Sequence, residues 1–160
     1  MIKLKTAVLL GNSLKRGTWI GGADDKDAQH LYDFGINIGL AFQLKDDLLD
    51  VYGDEKTFGK KIGGDISSNK KTYLLIHATR LAKGKDAEEL NKGLSIKEYS
   101  EEKIKAVTAL YNRIGVKPIC EEKMQYFYEK ALNNLDSVSV SEDKKQELRN
   151  LAQRLMLRNE

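Results

Sequence analysis

Apolar residues recur along this 160-residue chain at helical spacing, and strand-like alternation is scarce, so the pattern predicts an all-α protein. The first predicted helix covers about Ile2 to Leu14, with Leu4, Ala7, Val8 and Leu14 inward, before Gly17 and the Gly21-Gly22 pair end it. A long helix follows from about Lys26 to Tyr52. Then the pattern breaks: Gly53, Gly59, Gly63 and Gly64 punctuate a polar stretch reaching Asn69, longer than ordinary packing requires. Helices resume over Lys70 to Lys83 and, briefly, Asp86 to Lys92. Ile104, Val107, Tyr111 and Ile114 mark another that stops at Gly115. Pro118 suits the start of the next, whose inner stripe is Met124, Phe127, Tyr128, Ala131 and Leu135. Ser141 can cap a final helix through Leu148, Leu151, Ala152 and Leu155.

One part of the long helix departs from simple amphipathicity. Gln43, Asp46, Asp47 and Asp50 fall within a sector about 100° wide, while Phe42, Leu44, Leu48, Leu49, Val51 and Tyr52 anchor the other side to a core. Carboxylates so close repel one another, more strongly wherever water is excluded. Two readings follow: a solvated acidic face, or a site for a hard cation such as Mg²⁺, which binds through one or two carboxylates and takes its other ligands from phosphates and water.

Composition narrows the choice. The length is that of one domain, and the chain is globular in its balance of residues. A net charge of +3 with lysines interspersed among acids provides no electrostatic basis for nucleic-acid binding. Cys120 is the sole cysteine, and with only His30 and His77 beside it there is no zinc set and no internal disulfide, which fits a reducing cytoplasm. The apolar runs are far too short for a membrane span, and no signal peptide opens the chain. His30, His77 and Trp19 read as packing residues, and Cys120 as a core or surface residue.

The glycine-punctuated segment TFGKKIGGDISSNKKTYLL carries Lys60, Lys61, Lys70 and Lys71, and its glycines let backbone amides approach a phosphate closely. Lys5 and Thr6 add a further basic and polar pair on the first helix. Acidic helix face, basic loop and Lys5-Thr6 together suit a layered arrangement of carboxylates, Mg²⁺, diphosphate and lysines.

These residues resemble the trans-isoprenyl diphosphate synthases, or polyprenyl synthetases. FGINIGLAFQLKDDLLDVYGD resembles the family's second aspartate-rich motif, DDxxD preceded by an FQ pair. The segment after it resembles the family's GK, GGD and K-TY succession, and KLKTAVLL resembles its KT motif. The three stand in the family's order across about Met1 to Ala78. The resemblance implies an all-α helical bundle of the isoprenoid synthase type, in which an allylic diphosphate ionises and isopentenyl diphosphate attacks the resulting cation. It implies that Asp46, Asp47 and Asp50 hold Mg²⁺ against the allylic diphosphate, with Asp46 and Asp50 as its direct ligands. Lys5, Lys60 and Lys70 would neutralise that diphosphate, and Gln43 with Thr6 would stabilise the cation.

The family's first aspartate-rich motif and its upstream basic cluster have no counterpart here, and its members are about twice as long. Residues 1–160 therefore read as the C-terminal half of such a domain, with Met1 an internal methionine, or as a short paralogue working with another subunit. On this reading the chain needs an N-terminal half or a partner subunit and forms a homo-oligomer through its exposed cavity wall, including parts of Tyr32 to Leu40. The competing reading is a non-catalytic helical subunit that pairs with a catalytic prenyltransferase chain.

Overall fold

The computed structural model describes residues 6–54 and 61–157. Eight helices and no strand occur among them: α1 (Val8–Ile20), α2 (Asp25–Tyr52), α3 (Gly64–Ser67), α4 (Tyr73–Leu81), α5 (Lys85–Ser95), α6 (Glu101–Ile114), α7 (Val116–Asp136) and α8 (Glu142–Leu157). Local chemistry accounts for several of their ends. Asp24 Oδ1 accepts from the Asp27 N–H at 2.8 Å and caps α2. Thr72 and Ser100 cap α4 and α6 in the same way, accepting from Leu75 and Lys103. Gly115, at φ +74°, closes α6 in the left-handed conformation that glycine adopts without strain.

Two sequence expectations are corrected. The first helix does not stop after Leu14 but runs through Gly17 to Ile20. An isolated glycine costs a helix only about 1 kcal/mol, and the turn comes where Gly22 takes φ +80°. The stretch from Gly53 to Asn69 is not wholly irregular, because α3 lies within it.

The helices build two compact units, with α2 and α7 each contributing to both. One holds residues up to Lys45 and from Lys123 to Arg158. Its core joins Phe34 and Ile38 of α2, Ala131 and Leu135 of α7 and Ala152 of α8, with Leu10 and Leu14 of α1 packed against them. Burying large apolar side chains of this kind stabilises by about 1.5–3 kcal/mol each. The contact of α1 with α2 is made by small residues. A Cβ on Gly35 would lie 2.7 Å from Gly11 Cα, and one on Gly39 would lie 2.8 Å from Ala7 Cα. The backbones thus touch where a side chain would hold them apart. Residues 34–39 are buried in this packing, while Tyr32, Asp33 and Leu40 stay half-buried. The exposed apolar side chains of this unit include Leu9, Trp19 and Ile20 on α1.

The second unit runs from Asp46 to Glu122. Here α6 is the central element, packing on α3, α4 and α5. Its Val107, Leu110 and Tyr111 are buried, as are Leu74, Leu75 and Ala78 of α4 and Leu90 of α5. Cys120 is a core residue, fully buried. His77 lies against Tyr73, ring centroids 4.3 Å apart, which matches its reading as a packing residue. No described helix is long and apolar enough to cross a membrane.

Candidate functional site

The second unit brings the end of α2, the turn holding α3 and the start of α4 together around one carboxylate. Asp47 is only 1% exposed, and neither of its carboxylate oxygens has a hydrogen-bond partner. Lys70 Nζ stands 3.7 Å from Asp47 Oδ1. Burial pushes the Asp47 pKa up to about 6. Lys70 and the Tyr73 amide at the start of α4 favour the ionised form, the latter without a hydrogen bond of normal geometry. Asp65 and Asp46 oppose it, and burial prevails.

Asp50 is held differently. Its Oδ2 accepts the Asp65 N–H at 2.9 Å, and its backbone carbonyl accepts the Gly63 N–H at 2.6 Å. Burial raises its pKa, against the pull of the Asp65 amide. Gly63 makes this approach possible: it has φ +83°, and a Cβ there would come within 2.5 Å of Ile104 Cγ2. The Gly-Gly pair is therefore what lets the chain fold back onto α2 and bring Asp65 in.

Asp65 then anchors the cation. Lys70 Nζ is 2.7 Å from Asp65 Oδ2, and the Lys70 N–H donates to the Asp65 carbonyl at 2.9 Å. Burial pulls the Lys70 pKa down, but Asp65, Asp47 and Asp50 outweigh it and leave it raised. Lys70 remains half-exposed, so its ammonium can reach a ligand. Of the other basic residues of this segment, Lys61 lies over the Tyr99 ring and Lys71 is exposed.

In the first unit, Thr6 Oγ1 lies 3.4 Å from Gln43 Oε1. The glycine-mediated contact of α1 with α2 makes this pairing possible, since Thr6 immediately precedes Ala7, the residue pressed against Gly39. Gln43 and Asp46 are half-buried. Lys5 and Lys60 lie outside the described residues.

The structure thus gathers Asp47, Asp50 and Lys70 in one cluster and Thr6 with Gln43 in a pair. Sequence reasoning misses Asp65 of the GGD motif, although a carboxylate after two glycines and five positions before a lysine is a usable signal. Among the described residues no three metal-ligating side chains converge closely enough to hold an ion unaided. The donor set nevertheless suits Mg²⁺: it is all carboxylate oxygen, and Asp47 is buried with neither oxygen hydrogen-bonded. Such a group must neutralise itself or gain a cation.

The chain is similar to proteins of one known family. The polyprenyl synthetase family model matches residues 1–111. The chain is 34% identical over 143 residues to a geranylgeranyl diphosphate synthase of Sulfolobus acidocaldarius, covering 89% of this chain and 43% of that protein. It is 40% identical over 116 residues to a short chain isoprenyl diphosphate synthase of Methanothermobacter thermautotrophicus, covering 72% and 35%. Among solved structures, a geranylgeranyl pyrophosphate synthase superposes with TM-score 0.88 at 39% identity over 98% of this chain and 49% of its own. A polyprenyl synthase from Caulobacter crescentus complexed with calcium and isoprenyl diphosphate also gives 0.88, at 29% identity, over 99% and 48%. The chain spans less than half the length of the curated relatives named. With its helical architecture and its aspartate and lysine cluster, the chain belongs to the polyprenyl synthetase family.

Proposed function

We propose that these 160 residues supply the diphosphate-holding part of a trans-prenyltransferase that condenses isopentenyl diphosphate with an allylic diphosphate. The observation that carries this reading is Asp47, a buried carboxylate without a hydrogen-bond donor, beside a half-exposed lysine. A helical subunit with only a scaffolding role has no physical need for that arrangement, which disfavours the non-catalytic reading.

Asp46, Asp47 and Asp50 would hold Mg²⁺, which would supply charge neutralisation for the diphosphate. Lys70, with Lys5 and Lys60, donates to the departing diphosphate oxygens. These contacts strengthen as the allylic C–O bond breaks and negative charge collects there, so they lower the barrier rather than merely tightening substrate binding. Asp65 aims Lys70 at this position. Thr6 and Gln43 turn oxygen dipoles toward the allylic cation, and neighbouring apolar side chains keep water from it. Acceptor binding and in-line placement of the two substrates require complementary helices, in a longer chain or a partner subunit. Exposed Leu9, Trp19 and Ile20 on α1 suit such a contact.

The test is turnover of labelled isopentenyl diphosphate with geranyl diphosphate and Mg²⁺, by the 160-residue chain alone and with the N-terminal half of a relative added. No elongation alone and recovery on addition are expected. Turnover by the chain alone would overturn the need for complementary helices. Absence of Mg²⁺-dependent diphosphate binding in calorimetry would overturn the function itself.

A further inference from the structure

Lys103 on α6 is 2% exposed, yet its ammonium meets no carboxylate in the contacts it makes. Nζ donates to the Ser67 carbonyl at 2.9 Å, to Asn69 Oδ1 at 2.8 Å and to the Ile96 carbonyl at 2.8 Å. Three donors thus meet three neutral oxygens, which is the full capacity of an ammonium group. Burying a charge in this way is costly unless the hydrogen bonds are complete.

Two of those oxygens belong to the turn that leads into Lys70. Ser67 ends α3, and Asn69 holds φ +51°, a left-handed conformation uncommon outside glycine. The Asn69 amide also donates to the Leu94 carbonyl at 2.9 Å, so both ends of its side chain are tied. The next residue is Lys70. From α6, at the back of the turn, Lys103 therefore fixes the backbone from which Lys70 reaches Asp65 and Asp47.

We propose that Lys103 is a positioning residue for diphosphate binding: by locking the turn at 67–69 it holds the Lys70 ammonium at its working position, without touching the ligand itself. This rests on the reading above that Lys70 meets the diphosphate. A cation is suited to the task because one ammonium can join three separate backbone and side-chain oxygens from different segments, which a methyl or hydroxyl group cannot do.

The test is a double-mutant cycle read by calorimetric titration of the full chain with inorganic pyrophosphate and Mg²⁺, using Lys103→Met, Lys70→Met and the double variant. Lys103→Met is expected to weaken pyrophosphate binding about tenfold, a fraction of the charge-assisted contact it supports, and to have no further effect once Lys70 is methionine. The ammonium NMR signal of Lys70, which should shift on pyrophosphate addition in the parent, should shift less in Lys103→Met. If Lys103→Met fails to fold, Asn69→Gly removes one of the three acceptors while keeping the positive φ, and the same loss, confined to the Lys70 background, is expected. Unchanged affinity in a folded Lys103→Met, or equal losses in both backgrounds, would overturn the proposal. Should Lys70→Met alone leave pyrophosphate binding unaltered, the failure lies with the assignment of Lys70, and the role of Lys103 falls with it.

Discussion

Replacing Gly63 by alanine tests whether the turn built on the Gly-Gly pair creates the site. Two penalties are legible at that position. An L-residue at φ +83° carries a backbone cost of about 1–2 kcal/mol. The new methyl would also sit 2.5 Å from Ile104 Cγ2 and 3.0 Å from its Cδ1, against the branched end of a side chain held on α6. Overpacking of that kind typically adds about 1–3 kcal/mol. Gly63→Ala should therefore destabilise the chain by about 2–5 kcal/mol, measured by urea denaturation. The two parts separate in a double variant. Ile104→Ala removes the obstructing atoms, so in that background Gly63→Ala should cost only the backbone part, about 1–2 kcal/mol. The Gly63 amide donates to the Asp50 carbonyl, and the Asp65 amide two residues later reaches the Asp50 carboxylate, so affinity for Mg²⁺-pyrophosphate should fall as the turn shifts. A Gly63→Ala chain within 0.5 kcal/mol of the parent by the same measurement would refute the close packing of this turn on α6.

Other expectations follow from the same geometry. In metal-free buffer, Asp47→Asn should stabilise the chain at pH 7.5, because the native state binds this proton more tightly than the unfolded state does. The favourable contribution of neutral Asp47 is complete below about pH 3.8 and lost as pH rises through about 6. That difference corresponds to about 3 kcal/mol, so urea melts of the two chains should converge near pH 4 and separate at pH 7.5. Lys70→Met should weaken Mg²⁺-pyrophosphate binding by about 1.5–3 kcal/mol in calorimetry while far-ultraviolet circular dichroism stays helical. At the contact of α1 and α2, Gly39→Ala should destabilise by about 1–3 kcal/mol, since its Cβ would meet the Ala7 backbone at 2.8 Å. Thermal denaturation of that variant is the measurement, and an unchanged midpoint would contradict the close backbone approach.

The helices were legible in the sequence through apolar spacing and the stop at Gly115, whereas the caps at Thr72 and Ser100 emerge only from the structure. Even there, Gly17 shows the limit, since a single glycine lowers helix stability without deciding where the helix ends. The clustering of Asp46, Asp47 and Asp50 was legible too, because helical periodicity alone sets their angular separation. What periodicity could not show is that Asp47 is sealed from water while Asp46 and Asp50 stay half-buried, because burial depends on which other elements arrive. Asp65 and Lys70 reach α2 only through a reversal at Gly63, whose demands come from Ile104, forty-one positions away along the chain. Lys103 is the extreme instance. In sequence it is one lysine among the charged residues opening α6. The packing of α3 and α5 around it turns the same side chain into a buried three-way hydrogen-bond donor. A charged residue's place inside or outside a fold is set by the oxygens that surround it in space, and those are supplied by distant segments that local sequence does not specify.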